Sequence, residues 1–448
     1  MNNVLFIAYQ IPPIAGPAAQ RHLRFLSNLY DFGWNPIVLT VDPEYSEDYY
    51  NKDPSLMDCL DKNIRIHRTK AYNPMDRFLE RRKANQRREG FGKSSGKAES
   101  DIGEDKNWRA HLQTLKDLIS ESFRIPDRQI GWLPFAVFKG MELIRKNSID
   151  VIYSSGNPWT THLVGLALSR LSSTPWIPDF RDPWTNNPYH SRRFSFIERI
   201  ERRLERMVVE KSRFVICNTQ PLKDQFEISY PYLDRAKFVH ISNGFLKKLF
   251  DHLDYSKQDD RLHITHVGNL YSRRSPESLL IAVSRLKKSA VINASYFVLS
   301  LVGKIDIPGC DHSLLKELDI ADMVELVPFV PHNEALNRLA QSDILLIIQP
   351  ETALQIPGKL FEYIAIGHPV MALTGEGATA EFIRRENLGV VVHPQDTEKI
   401  QAALKDYVSQ HAQGLLPRGP AGSDRMKFES KSLTERLVEL FKICLQEN

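Results

Sequence analysis

Lys359 and Glu362 stand three residues apart in the segment Pro357-Gly358-Lys359-Leu360-Phe361-Glu362-Tyr363. On a helix that spacing puts both side chains on one face. Two chemistries fit: a plain ion pair, or a cation for a diphosphate beside a carboxylate that accepts paired hydrogen bonds from vicinal hydroxyls. A basic pair, Arg273-Arg274, follows Gly268 across a short loop. Arginine's planar fork suits phosphate oxygens, and a helix N-terminus beyond it adds a favourable dipole. The alternative is an exposed basic loop. Gly16, within Pro12-Pro13-Ile14-Ala15-Gly16-Pro17, either lets backbone amides approach a ligand or makes a tight turn. Asp179-Phe180-Arg181-Asp182-Pro183-Trp184 sets an arginine between two carboxylates. It reads as a structural ion-pair cluster or as a wall for a second ligand. His162 follows Gly156-Asn157-Pro158-Trp159, and a lone histidine in such a place is more often structural than reactive.

The elements that would position these residues alternate. Val4–Tyr9 reads as a buried strand, the Pro-Gly loop follows, and Ala19, His22, Leu23, Leu26 and Leu29 mark a helix that Gly33 stops. Further strands are expected at 36–41, 151–154, 176–180, 214–218 and 238–241, with helices near 134–146, 159–172, 195–211 and 221–229. A second series of strands runs 263–267, 297–302, 324–327, 343–348, 370–373 and 390–392. Residues 76–107 break the rhythm with mixed charge and few apolar groups, the mark of an insertion. The class is therefore α/β: two Rossmann-like doubly wound domains facing a central cleft. The expected boundaries are 1–250, 251–430 and a closing amphipathic helix over 431–448. Open sheets bind ligands beyond the carboxyl ends of their strands, and every candidate above lies at or after such an end.

Composition narrows the partners. The chain has 448 residues and a net charge of +4. That is too weakly basic to argue for nucleic acid, but it suits acidic ligands or an anionic membrane surface. No apolar run approaches the roughly 18 residues of a membrane span. The N-terminus shows no secretion signal, and Cys59, Cys217, Cys310 and Cys444 form no CxxC pair. A reducing cytoplasm is expected, with no structural zinc. No Asp-x-Asp pair is placed to hold a catalytic metal. Helix 195–213 carries Arg199, Arg202, Arg203, Arg206, Lys211 and Arg213 near Phe194, Phe196 and Ile197, with Arg192 and Arg193 just before it. It reads equally as a face for an anionic bilayer or as a solvated helix laced with pairs such as Glu198–Arg202 and Arg206–Glu210.

Taken in order, these motifs resemble the retaining GT-B glycosyltransferases of family 4. The branch it is most similar to carries Asp-Phe-Arg-Asp-Pro-Trp, here Asp179–Trp184, in bacterial polysaccharide clusters. Pro126-Asp127, Gly131-Trp132 and the turn Ser242-Asn243-Gly244 fit as well. The resemblance implies transfer of a sugar from a UDP- or GDP-linked donor to a glycan or lipid-linked acceptor, with no cofactor and no metal. It implies that Arg274 and Lys359 hold the donor diphosphate, with Arg273 able to substitute. Glu362 would take the ribose, and Gly16 and Gly268 would let backbone approach the donor. His162 and Asp182 would lie near the reacting sugar, and Asp179, Arg181 and Trp184 near the acceptor. Two departures stand out. Leu354 occupies the place of a second glutamate eight positions before Glu362, and Phe245-Leu246 follow the Asn-Gly turn where an aspartate is usual. A sugar-nucleotide epimerase and a non-catalytic sugar-nucleotide-binding or glycan-binding subunit share the same architecture and are the competing readings.

Overall fold

The structure is a computed structural model. It describes all residues except 47–51, 73–120, 123, 186, 188–193, 258, 272–273, 350–351, 418, 420–421 and 447–448. The expected insertion at 76–107, Arg192, Arg193 and Arg273 lie outside the described residues. By internal contacts the chain divides into two units: residues 1–218, 225–240 and 436–448, and residues 219–224 and 241–435.

The first unit holds seven parallel strands: β1 (Asn2–Ala8), β2 (Trp34–Val41), β3 (Arg65–Thr69), β4 (Val151–Gly156), β5 (Trp176–Phe180), β6 (Val215–Cys217) and β7 (Phe238–His240). Their order is β3-β2-β1-β4-β5-β6-β7. Val4 to Ala8 are fully buried, as a parallel strand covered on both faces requires. The register Val4↔Val151 sets β1 beside β4, where the strand order reverses. β3 is absent from the sequence expectation. Its residues, Arg-Ile-His-Arg-Thr, are polar because it forms the sheet edge.

The second unit repeats the plan with β8 (Leu262–Val267), β10 (Phe297–Val302), β12 (Val324–Val327), β13 (Ile344–Ile348), β14 (Val370–Leu373) and β15 (Gly389–Val392). Their order is β12-β10-β8-β13-β14-β15, and the two-residue strands β9 (Leu270–Tyr271) and β11 (Ile305–Asp306) pair beside it. Along β13 successive side chains enter opposite cores. Ile344, Leu346 and Ile348 join one cluster, and Leu345 and Ile347 join the other.

The units part at Ile241 rather than at 250. Phe245 is buried in the second unit's core, and Leu249, Phe250 and Leu253 pack against it. The helix Ser430–Gln446 is shared between units. From Arg436 it belongs to the first, where Phe441 packs 5.0 Å from Trp34 and 6.3 Å from Tyr153, ring to ring.

Candidate active site

In the second unit the strand order reverses between β8 and β13, the place where doubly wound sheets bind ligands. Lys359 is the first residue of the helix Lys359–Ile366, which follows β13. Its ammonium reaches across to the end of β8 and donates to the Val267 carbonyl at 2.9 Å. Gly268, the next residue, has φ +134, and a Cβ there would overlap Lys359 Nζ. The backbone therefore calls for glycine, and any side chain there would also push the lysine ammonium aside. Arg274 stacks over the Tyr271 ring at 4.8 Å, half-buried. Burial, and then the nearby Arg274 charge, lower the Lys359 pKa to about 8. His266 lies buried below. Its Nδ1 donates to the Leu346 carbonyl at 3.0 Å, and burial together with Lys359 keeps the ring neutral. Two cations thus repel each other at a strand-end position with no carboxylate salt-bridged to either among the described residues. Such an arrangement attracts an anion.

Glu362 does not pair with Lys359, although the spacing permits it. Its Oε1 accepts from His332 Nε2 at 3.1 Å. The position of the absent second glutamate works through backbone instead: Thr219 Oγ1 donates to the Leu354 carbonyl at 2.6 Å. Beside it the Gln355 carbonyl accepts from Thr352 Oγ1 at 3.0 Å and Thr379 Oγ1 at 3.2 Å.

In the first unit the reversal falls between β1 and β4. Gly16, φ +132, precedes the helix Pro17–Leu26 as its N-cap. From that helix Arg21 makes a two-point bridge to Asp179 at the end of β5, 2.8 Å at each contact. Tyr153 donates to the same carboxylate at 2.5 Å, and Ser155 at 3.3 Å. Burial alone would raise the Asp179 pKa, but Arg21 and these donors bring it below the usual carboxylate range. Asp179 is fully buried, so it ties the helix Pro17–Leu26, β4 and β5 together rather than forming an acceptor wall. Trp184 is corrected in the same way. It is 3% exposed and stacks on Trp159 at 5.3 Å with an interplanar angle of 4°. Arg181 is half-buried and its guanidinium holds the Gly156 carbonyl at 3.0 Å and the Asn157 carbonyl. Asp182, also half-buried, neighbours it.

His162 is fully buried beside Phe180, ring centroids 4.6 Å apart. Trp176 Nε1 donates to Ser154 Oγ at 2.9 Å, and that hydroxyl lies 2.9 Å from His162 Nδ1. A hydroxyl accepts twice, so Ser154 Oγ takes the Trp176 bond and either donates to His162 Nδ1 or accepts from it, according to the tautomer. Burial lowers the His162 pKa to about 3, so the ring is neutral. Nε2 has no hydrogen-bond partner among the described residues and adjoins Gly156, where a Cβ would overlap it.

Residues 261–410 match the family model for glycosyl transferases group 1, and residues 107–245 match that for glycosyltransferase family 4. The chain is a GT-B glycosyltransferase. Solved structures share the fold at low identity. A sucrose-phosphate synthase from Thermosynechococcus elongatus has a TM-score of 0.62 at 15% identity, with all of both chains covered. A glycosyltransferase from Rickettsia africae gives 0.62 at 15%, covering 100% of this chain and 99% of its own. A UDP-N-acetylglucosamine 2-epimerase gives 0.54 at 11%, covering 100% and 97%. No curated protein matches the sequence. The fold is thus shared with epimerases, and the two family matches are what distinguish transfer.

The glycosyltransferase carries residues that the motifs did not single out. Arg21 and Tyr153 anchor Asp179 from 158 and 26 residues away, a pairing that no local spacing reveals. Asp127, part of the Pro126-Asp127 motif, accepts from Thr160 N at 2.9 Å, Thr160 Oγ1 at 2.6 Å and Gln129 N at 3.1 Å. It caps the helix that carries His162. Trp132 of Gly131-Trp132 donates to Thr69 Oγ1 at 2.7 Å and so fastens the edge strand β3. His332 was missed, although it opens a helix after β12 as Lys359 does after β13.

Proposed function

We propose that the glycosyltransferase moves a sugar from a nucleoside-diphosphate donor to a glycan or lipid-linked acceptor, without a metal and with retention of anomeric configuration. The convergence of Lys359 and Arg274 at the β8/β13 reversal carries this reading. Breaking the bond from the anomeric carbon to the diphosphate builds charge on phosphate oxygens, and fixed cations stabilise that charge as it develops. Gly268 makes room for the lysine, Glu362 takes the ribose and Gly16 admits the donor to backbone amides. Asp182 lies on the acceptor side, whereas His162, with no surface exposed, is left out of the substrate contacts. Retention rests on the family resemblance alone. UDP and GDP are both compatible with these residues. Incubation with a panel of nucleotide sugars and acceptors tests the reading. Released nucleoside diphosphate with a glycosylated acceptor supports it, whereas an isomerised nucleotide sugar with no nucleotide release supports an epimerase.

A membrane-borne acceptor is favoured by the helix Ser195–Lys211. Its acids Glu201 and Glu205 face inward, each 7% exposed, while Arg199, Arg202, Arg203 and Arg206 face solvent. Glu205 is held by Thr185 and Tyr230. Arg202 pairs with Glu198 at 3.7 Å, but Glu210 bonds Tyr232 in place of Arg206. Phe196 and Ile200 are exposed on the same helix, at 38% and 40%. A basic face with apolar side chains suits an anionic bilayer. The four cysteines form no disulfide, in keeping with a cytoplasmic site of action. Flotation with anionic vesicles at low salt tests the contact, and failure to float removes it.

A further inference from the structure

We infer that His332 is a positioning residue of the nucleotide site, holding one oxygen of Glu362 so that the other is presented to the ribose. This rests on the donor reading above. Glu362 sits in the first turn of the helix Lys359–Ile366, and His332 opens the helix His332–Ala340 after β12. The two come from different strand ends, 30 residues apart, and meet at 3.1 Å between His332 Nε2 and Glu362 Oε1. A carboxylate only accepts, so Nε2 carries the proton, whether the ring is neutral or charged. Glu362 Oε2 makes no hydrogen bond among the described residues. The pair is partly open, with side-chain exposures of 32% and 27%, so a ligand can reach the uncommitted oxygen.

A glutamate has three side-chain torsions, and its rotamer freedom must be lost before it can accept from two vicinal hydroxyls. The imidazole removes part of that freedom in advance. Lys359 does not do this, since its ammonium turns to the Val267 carbonyl rather than to Glu362 and keeps its other two donors for phosphate. A purely structural role for so exposed a pair would contribute little to stability. The positioning role instead predicts an effect confined to ligands that carry a ribose.

Calorimetric titration of the full chain with UDP, GDP, ADP and inorganic pyrophosphate tests this on wild type, His332→Ala and His332→Gln. The alanine variant should weaken the tightest nucleoside diphosphate by a few-fold to about ten-fold, the cost of ordering one rotamer-rich side chain on binding. Pyrophosphate, which has no ribose, should bind as to wild type. Glutamine, whose side-chain amide donates, should recover most of the loss. Equal loss for nucleotide and pyrophosphate, or no loss for either, would overturn the inference. If wild type binds pyrophosphate as tightly as every nucleotide, the Glu362–ribose contact and this inference fall while the diphosphate site stands. If it binds none of them, the donor reading itself fails and takes the inference with it.

Discussion

Replacing Lys359 with methionine should stabilise the ligand-free glycosyltransferase while abolishing most of its affinity for a nucleoside diphosphate. Burial and Arg274 take the lysine from 10.5 to about 8. That depression corresponds to roughly 3 kcal/mol of unfavourable interaction with the charged form. Partial exposure reduces it, and losing the bond to the Val267 carbonyl costs about 1 kcal/mol. Methionine keeps the apolar stem and fits irregular gaps. The net gain is about 1–2 kcal/mol, or a few degrees in Tm. The sign of the pH dependence follows from a folded pKa below the unfolded one. The penalty is full below pH 8, fades as the folded lysine deprotonates, and is gone by about 10.5. Thermal melts of wild type and variant at pH 7 and pH 9.5 should therefore converge at the higher pH, and calorimetry at pH 7 should show the lost affinity. A variant that melts lower than wild type at pH 7, or that keeps its nucleotide, refutes the reasoning.

Nucleoside-diphosphate affinity should stay level up to about pH 7.5 and fall above pH 8 as Lys359 loses its proton, and Lys359→Arg should abolish the fall. Asp179→Ala should cost about 3–5 kcal/mol in urea denaturation, because the buried Arg21 loses its carboxylate partner. The double variant Asp179→Leu with Arg21→Met should recover part of that loss. Gly268→Ala should lower Tm, because φ +134 strains any side chain, and should also weaken diphosphate binding, since the new methyl group must displace the Lys359 ammonium.

The alternation of strands and helices was legible because parallel strands buried on both faces leave continuous apolar runs, as Val4 to Ala8 and Ile344 to Ile348 show. The edge strand β3 leaves none, which is why Arg65–Thr69 escaped notice. The donor side was readable because Gly268, Arg274 and Lys359 each follow a strand beside the β8/β13 reversal, where the topology brings them together. The Asp179–Trp184 motif was legible as a motif but not as a role. Only the long-range Arg21 and Tyr153 contacts reveal Asp179 as an internal tie, and only the Trp159 stack reveals that Trp184 is buried. Spacing suggested a Lys359–Glu362 pair, but each side chain found a nearer partner on another segment. The unit boundary moved because Phe245 and Phe250, read as the end of the first domain, serve the second core.

The central claim is that Lys359 and Arg274 form the donor diphosphate site. Calorimetry with UDP and GDP in the presence of EDTA, on wild type and on the double variant Lys359→Ala with Arg274→Ala, tests it most directly. The account predicts metal-independent binding of at least one of the two nucleotides to wild type and a loss of at least a hundred-fold in the variant, on the order of 3 kcal/mol. Unchanged affinity in the variant would contradict it.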